Sequence, residues 1–436
     1  MRAVRENDAY ANLVLPSLLA ERHLDPRDSA FATELAYGTL RGQGSYDAIL
    51  SANVSRPLDK LDPRVLDVLR LGTHQLLAMR VGSHAAVDQS VNLVRDHVGH
   101  APTGLVNAVL RKVAARDLAG WLPRVAPDRE SDPIGHLAVM HSHPRWIVEA
   151  FRDALDGDLD ETAALLGADN ERPTVTLVAR PGRSDVEELY ALGARPARWA
   201  STAAVLESGA PATLAPVREG RAGVQDEGSQ LVALALAAAP IEGTDLRWLD
   251  LCAGPGGKAA LLAGLAQQRG AALLAVERQP HRARLVARAV GNTATVAVGD
   301  STRPAWRTGP SGSFDRVIAD VPCSGLGALR RRPEARWRRK PTDLESLRPL
   351  QEALLESALA AVRPGGVVAY VTCSPHPAET RDVVAAVVAR VGGAEQLDAR
   401  PWLAGVEQLG DGPDVQLWPH RHGTDAMYLA LLRRSG

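Results

Sequence analysis

Leu249-Asp-Leu-Cys-Ala-Gly-Pro-Gly-Gly-Lys258 joins a short apolar run to a segment with helical periodicity, and this stretch decides the fold. The turn contains three glycines, Gly254, Gly256 and Gly257. Such glycines let the backbone turn sharply and approach a ligand, and the N-terminus of the following helix attracts negative groups. A phosphate-binding P-loop is excluded, because Cys252 stands at its first required glycine and Ala259 replaces its serine or threonine. The G-x-G-x-x-[GA] spacing leaves a dinucleotide site as an alternative.

From Gln225 onward, short apolar runs alternate with helical segments. The predicted strands are Leu246 to Cys252, Ala272 to Glu277, Ala294 to Asp300, Asp315 to Cys323 and Gly366 to Cys373. This alternation predicts an α/β, Rossmann-like domain with a mostly parallel sheet. Ligands bind such sheets beyond the carboxyl ends of the strands, and all three cysteines of the chain fall there.

Two acidic residues at strand ends favour a nucleoside cofactor. Glu277 ends the second predicted strand, where a carboxylate accepts hydrogen bonds from both ribose hydroxyls of NAD or S-adenosylmethionine. Asp300 ends the third strand and is placed to meet an adenine amino group. Each acid alone could equally cap a helix or face solvent, but together they favour one of these two cofactors.

The segments Asp320-Val-Pro-Cys-Ser-Gly-Leu-Gly327 and Tyr370-Val-Thr-Cys-Ser-Pro375 carry a cysteine at each of two strand ends. A thiolate that adds to C6 of a cytosine turns C5 into an enamine carbon, which can attack a sulfonium methyl group. A second thiol or a carboxylate can assist protonation and release. A hydride-transferring dehydrogenase has no use for such a pair, so Cys323, Cys373 and Asp320 predict methyl transfer from S-adenosylmethionine.

The segment after Gly327 is rich in cations: Arg330, Arg331, Arg332, Arg336, Arg338, Arg339 and Lys340. A solvated arginine-rich loop is one interpretation, because arginine greatly outnumbers lysine throughout this chain. Its position directly after a catalytic motif favours phosphate binding instead, with Trp337 available to stack on a base.

Residues 1–125 are predicted to be all-helical. The helical periodicities cover Ala9 to Leu19, Ser29 to Leu40, Pro63 to Met79, Ala85 to Val98 and Gly104 to Val113. Glycines in Arg41 to Ser45 and Asp-Pro pairs at 25–26 and 62–63 predict boundaries. Residues 126–224 are predicted to form linker helices and a small α/β subdomain, and residues 225–436 the catalytic domain.

The hydropathy, the net charge and the cysteine content of the chain limit the class of protein that it can be. No apolar run approaches the roughly 20 residues of a membrane helix, and the N-terminus has no secretory pattern. The net charge of −1 argues against indiscriminate nucleic-acid binding. The cysteines form no C-x-x-C pair, which argues against a metal site. We therefore expect a cytoplasmic protein without metal. The sequence does not fix the oligomeric state, and a monomer is the default expectation.

These motifs resemble those of the RNA cytosine-C5 methyltransferases. The resemblance is carried by Cys252-Ala-Gly-Pro-Gly-Gly-Lys258, by Asp320-Val-Pro-Cys323 with its Arg-Arg-Arg-Pro continuation, and by Thr372-Cys-Ser374. Within them, the chain is similar to the RsmB (Fmu, Sun-type) enzymes of 16S ribosomal RNA, in which a NusB-like helical domain precedes the catalytic domain. Phe31-Ala-Thr-Glu-Leu-Ala-Tyr-Gly-Thr-Leu40 resembles part of that helical domain, so the resemblance covers nearly the whole chain.

The resemblance implies roles that the residues alone leave open, including which cysteine is the nucleophile. It implies that Cys373 attacks C6, Cys323 assists product release, Asp320 holds the cytosine edge, and Lys258 contacts the base or the cofactor. It implies that S-adenosylmethionine is bound by Cys252, Ala253, Gly254, Pro255, Gly256, Gly257, Lys258, Glu277, Asp300 and Asp320. The chain departs from the family at Gly254, Ala259 and Thr380, none of which removes a required functional group.

The expected partner is RNA, and the resemblance implies 16S ribosomal RNA. Two alternatives stay open. One is cytosine methylation of transfer RNA, which the NusB-like domain disfavours. The other is an RNA-binding or antitermination factor with a vestigial catalytic half, against which the intact Cys323, Cys373 and Asp320 argue.

Overall fold

The computed structural model describes residues 1–6, 10–303 and 312–435. The chain divides into two compact units. The first comprises Met1–Arg172 and Leu329–Arg339, and the second comprises Pro173–Ala328 and Lys340–Gly436. The first unit therefore includes helices beyond residue 125, where we placed the boundary, because α8 (Pro133–Met140) packs against the helices that precede it.

The first unit is helical. Its other helices are α1 (Arg2–Glu6), α2 (Ala11–Glu21), α3 (Pro26–Ser51), α4 (Pro63–Leu77), α5 (Ser83–His97), α6 (Thr103–Val113), α7 (Leu118–Val125), α9 (Arg145–Ala154), α10 (Leu159–Ala168) and the short α16 (Ala335–Arg338). The predicted Asp-Pro boundaries are confirmed, since Asp25 and Asp62 accept hydrogen bonds from the first turns of α3 and α4. Ala9, the predicted start of the first helix, lies outside the described residues.

The predicted break at Arg41 to Ser45 is wrong, because α3 continues to Ser51. The glycines in this stretch permit close packing. A Cβ at Gly44 would lie 2.5 Å from the ring of Trp337, and one at Gly42 would lie 2.4 Å from the ring of Tyr46. At both positions an aromatic ring occupies the space that a side chain would need, which explains why glycine stands inside this helix despite its low helix propensity.

A small sheet opens the second unit. It contains β1 (Val175–Ala179), α11 (Val186–Ala191), β2 (Ala194–Pro196), β3 (Ala203–Leu206), α12 (Ala215–Arg218) and β4 (Ala222–Val224). The strand order is β2-β3-β1-β4 and every pairing is antiparallel. Leu177 faces a core with α11, while Val178 joins the main core beside α13 (Glu227–Ala238). Both faces of β1 are thus buried, so this strand presents no exposed surface on which RNA bases could stack.

The large sheet confirms the predicted Rossmann-like fold. Its elements are β5 (Arg247–Asp250), α14 (Gly257–Gln268), β6 (Ala272–Glu277), α15 (Pro280–Val290), β7 (Thr295–Val298), β8 (Phe314–Asp320), α17 (Asp343–Ala361), β9 (Val362–Thr372), α18 (Arg381–Val391), β10 (Ala394–Leu397), β11 (Val415–Gln416), α19 (Pro419–His422) and β12 (Tyr428–Arg434). The strand order is β10-β12-β9-β8-β5-β6-β7. Strands β5 to β9 are parallel, and β12 runs antiparallel between β9 and β10.

The order of the strands locates the site. The chain runs outward from β5 through β6 to β7, then returns to β8 on the other side of β5. Ligands bind at such a reversal, beyond the carboxyl ends of the two central strands. Asp250 and Asp320 end these strands. Across the described residues, no helix is both long and apolar enough to cross a membrane.

Candidate active site

The glycine turn between β5 and α14 forms the floor of the site. Gly256 precedes α14 with a φ of 115°, a left-handed conformation that favours glycine. A Cβ there would lie 2.7 Å from the Cβ of Ala289 on α15. Gly254 is equally constrained, because a Cβ would lie 2.0 Å from Oε2 of Glu277. The turn therefore holds its shape through glycines packed against neighbouring elements.

A cavity opens above this turn. Its lining comprises Val224, Gln225, Ser229, Asp250, Cys252, Ala253, Gly254, Pro255, Gly257, Lys258 and Asp320. Most of the loop residues that we predicted to bind the cofactor are therefore brought together. The sequence did not single out Asp250, Gln225 or Ser229, although Asp250 obeys the same strand-end rule that identified Asp320.

Two buried acceptors in this cavity need donors. Oδ2 of Asp250 and Oε1 of Gln225 accept no hydrogen bond from any residue that the structure describes. Burial and the nearby Asp320 raise the pKa of Asp250 to about 7. A cationic ligand with further donors would satisfy both atoms. S-adenosylmethionine fits this requirement, since it brings an ammonium group, a sulfonium centre and hydroxyl donors.

The carboxylates of Glu277 and Asp300 accept hydrogen bonds from backbone N–H groups in this structure. Glu277 is buried, and its carboxylate accepts hydrogen bonds from the N–H groups of Gly254 at 3.1 Å and Gln279 at 2.8 Å. Asp300 accepts from the backbone N–H and the hydroxyl of Thr302, which lowers its pKa. Neither carboxylate belongs to the described lining of the cavity. Their contact with the cofactor stays a prediction.

Lys258 and Asp320 form an ion pair across the crevice. The ammonium of Lys258 lies 2.9 Å from Oδ2 of Asp320. Burial alone would lower the pKa of Lys258, but Asp320, together with Cys373, raises it above its usual value. Lys258 therefore carries a positive charge that is paired with the Asp320 carboxylate and interacts electrostatically with Cys373.

The two predicted cysteines meet. Sγ of Cys323, just beyond β8, lies 3.4 Å from Sγ of Cys373, just beyond β9. The hydrogen bond with Cys373, followed by burial, raises the pKa of the Cys323 thiol well above its usual range. Burial likewise raises the pKa of Cys252, which lines the cofactor cavity. These contacts leave Cys323 as a thiol that holds its proton beside a second sulfur.

The arginine-rich segment divides into buried and exposed residues. Arg336 is fully buried within the first unit, where its guanidinium donates to the carbonyl oxygens of Arg41, Ser142 and Asp169 and to Oδ1 of Asn170. A guanidinium used in this way cannot reach a phosphate. Arg336 is therefore a structural residue, contrary to our prediction that it binds RNA.

Trp337 is also used within the first unit. Its indole N–H donates to the carbonyl of Leu40 at 3.0 Å, and its ring packs over Gly44. It is therefore not the freely available ring that we predicted for base stacking. Arg330 is buried as well, whereas Arg332 and Lys340 are exposed. RNA binding by Arg330, Arg331, Arg332, Arg338, Arg339 and Lys340 stays a prediction.

Comparison with known proteins decides the family. Residues 235–433 match the family described as 16S rRNA methyltransferase RsmB/F, and residues 1–115 match the NusB family. The ribosomal RNA small subunit methyltransferase B of Vibrio cholerae is 31% identical over 95% of this chain and 92% of that protein. The chain belongs to the RsmB/F family of rRNA methyltransferases. As an RsmB/F protein, it is an S-adenosylmethionine-dependent RNA methyltransferase.

Two further relatives span the whole RsmB/F chain. A Mycobacterium tuberculosis protein described as a methyltransferase is 54% identical over all of this chain and 94% of that protein. The crystal structure of PH0851 is 22% identical, has a TM-score of 0.77, and covers 97% of this chain and 96% of that chain. The latter likeness shows a shared fold over nearly all of both chains.

Proposed function

We propose that this protein methylates C5 of one cytosine in 16S ribosomal RNA through a covalent bond between Cys373 and C6. The observation that carries the proposal is the 3.4 Å separation between the sulfur atoms of Cys323 and Cys373. Cys323 follows the strand that ends at Asp320, and Asp320 lines the cofactor cavity. Methylation of an exocyclic nitrogen or a ribose hydroxyl needs no sulfur nucleophile, whereas C5 of cytosine must first be activated.

The proposed reaction gives each side chain one role. The Cys373 thiolate bonds to C6, and the C5–C6 double bond opens so that C5 becomes nucleophilic. S-adenosylmethionine supplies the methyl group that C5 accepts. A water molecule from solvent then takes the C5 proton, the C5–H electron pair re-forms the C5–C6 double bond, and Cys373 leaves C6 as a thiolate. The Lys258 ammonium stabilises the Cys373 thiolate, and the protonated Cys323 thiol hydrogen-bonds the departing sulfur.

Replacement of each cysteine separates the two sulfur roles. We expect Cys373→Ala to lose at least about a thousandfold in methyl transfer, because no covalent step remains. We expect Cys323→Ala to accumulate an RNA–protein adduct that survives denaturation. Methyl transfer from labelled cofactor and denaturing gels measure both effects. Cofactor binding, measured by calorimetry, should be retained in each variant. Full activity of Cys373→Ala would contradict the proposal.

The RNA target is tested separately. In a strain that lacks the gene, bisulfite sequencing of 16S rRNA should lose one methylated cytosine, and restoring the gene should recover it. Restoration of the Cys373→Ala variant is the matched control and should leave the site unmethylated. Loss of a methylated cytosine from transfer RNA alone would contradict 16S rRNA as the target.

A further inference from the structure

A fully buried carboxylate lies behind the two cysteine loops. Glu379 has no exposed surface and follows Cys373 in the turn between β9 and α18. Its own carbonyl accepts a hydrogen bond from the hydroxyl of Tyr370 at 2.8 Å, which fixes this turn to β9. A buried acid is costly unless donors surround it, so its partners indicate what it does.

The donors come from both cysteine loops. Oε1 of Glu379 accepts from the backbone N–H of Ser324 at 2.7 Å and from Nε2 of Gln351 at 3.0 Å. Oε2 accepts from the hydroxyls of Ser324 and Ser374, the latter at 2.6 Å. The two hydroxyl oxygens lie 3.1 Å apart. One carboxylate thus joins two residues that are 50 positions apart in the chain.

Each of these serines directly follows one of the paired cysteines. Ser324 follows Cys323, and Ser374 follows Cys373. Gln351 also donates to the carbonyl of Pro322 at 2.9 Å, on the other side of Cys323. The Glu379 carboxylate therefore fixes the backbone next to Cys323 and the backbone next to Cys373 through the same set of hydrogen bonds.

We propose that Glu379 is a positioning residue that sets the separation of the Cys323 and Cys373 thiols by binding the serines beside them. Its consequence for catalysis rests on the proposed function, but its effect on the sulfur separation does not. Hydrogen bonds to an ionised acceptor are shorter and stronger than neutral ones, so a carboxylate holds the loops more firmly than two paired hydroxyls could.

The separation of the sulfurs can be measured by oxidation. Diamide accepts two electrons and two protons from two neighbouring thiols, which become a disulfide while diamide becomes the hydrazine. We expect the native protein to form a Cys323–Cys373 disulfide, detected by peptide mass spectrometry, with Cys252 left as a thiol. We expect Glu379→Ala to form it about tenfold to a hundredfold more slowly, the loss typical of misplacing reacting groups by about an ångström.

The matched control is Glu356→Ala on α17, whose partly exposed carboxylate pairs with Arg390. This control should oxidise at the native rate. Glu379→Gln should be intermediate, because its amide oxygen still accepts while its NH₂ group replaces an acceptor with a donor. In methylation assays, Glu379→Ala should lower kcat with little change in the KM for the cofactor.

A structural role alone would lower the melting temperature without changing the oxidation rate of the folded protein. Native oxidation rates in folded Glu379→Ala would therefore overturn the proposal. If Glu379→Ala does not fold, Ser374→Ala, which removes one donor, takes its place and should slow oxidation by about threefold to tenfold; a native rate in Ser374→Ala would overturn the proposal equally. Because this measurement needs no RNA, the proposed reaction could fail while the positioning role of Glu379 stands.

Discussion

Asp250 shows how one unpaired oxygen prepares a site for a charged ligand. Its Oδ1 accepts from the N–H of Cys252 at 3.1 Å, while its buried Oδ2 accepts from no described residue. Burial and Asp320 raise its pKa to about 7, from an ordinary value of 3.8. Between about pH 4 and pH 7, Asp250 therefore keeps a proton in the folded protein that it has lost in the unfolded chain. Because the folded state binds more protons, the free energy of unfolding falls as pH rises through that window.

This linkage predicts how cofactor affinity depends on pH. A bound ammonium or sulfonium cation favours ionised Asp250, so binding below pH 7 releases a proton. We expect the affinity for S-adenosylmethionine to rise between pH 5.5 and about pH 7 and then to level off. Asp250→Asn should bind more weakly at pH 8 and lose most of this slope. Calorimetry in buffers of different ionisation heats measures both the affinity and the proton release. An unchanged slope in Asp250→Asn would assign the proton to another group.

At the scale of an element, the cofactor turn depends on how α14 begins. Gly256 takes a left-handed conformation there, and its missing side chain lets α15 pack closely. The parallel sheet places the carboxyl end of β5 at the site, but the glycine turn between β5 and α14 determines where the backbone can contact a ligand. The start of α14 is therefore a binding element as much as a helix terminus.

Alanine at position 256 tests this dependence. We expect Gly256→Ala to lower the free energy of unfolding by about 1–2 kcal/mol or more, from the left-handed backbone and the collision with Ala289. Cofactor affinity should fall with it. Gly167→Ala in α10 is the matched control, since its Cβ would meet no described atom within 4 Å and should be neutral or stabilising. Chemical denaturation of both variants measures the difference, and equal stabilities would contradict the steric argument.

Local patterns predicted most of the catalytic elements. The five strand runs correspond to β5 to β9, and the strand-end rule brought Cys323 and Cys373 together, because parallel strands share one edge for their carboxyl ends. Sequence spacing could not reveal that Glu379 joins two loops, or that Gly44 of α3 accommodates Trp337. Such features depend on contacts between residues that are distant in the chain, which no periodicity records.

At the scale of the whole molecule, the chain enters the helical unit twice. Residues Leu329–Arg339 come shortly after the segment Asp320 to Gly327, which contains Cys323, and they belong to the first unit. Burial lowers the pKa of Arg336 to about 10, so its guanidinium stays charged at neutral pH among three carbonyls and an amide. Glu334 accepts from the N–H of Ala11, at the first residue of α2. The segment is therefore an integral part of the helical core.

Removal of the Arg336 side chain should weaken the first unit selectively. We expect Arg336→Ala to cost about 3 kcal/mol, because the carbonyls that it satisfies would be left buried without donors. Hydrogen exchange should rise in Leu329–Arg339 and in the middle of α3 around Arg41, while cofactor binding in the second unit is retained. Arg332→Ala, in the same segment but exposed, should exchange like the native protein. Native protection in Arg336→Ala would contradict the structural role.

Because the helical unit is built from two separate segments of the chain, this architecture can be rearranged in fewer ways. A helical unit cut after Arg172 would lack the Arg336 guanidinium, which donates to the carbonyl oxygens of Arg41, Ser142 and Asp169. The rest of the chain would carry Leu329–Arg339 between β8 and α17 without the helices that this segment packs with. Grafting the helical module of one homologue onto the catalytic module of another therefore requires two exchanged pieces. Chimaeras that exchange both pieces should therefore fold better than those that exchange one.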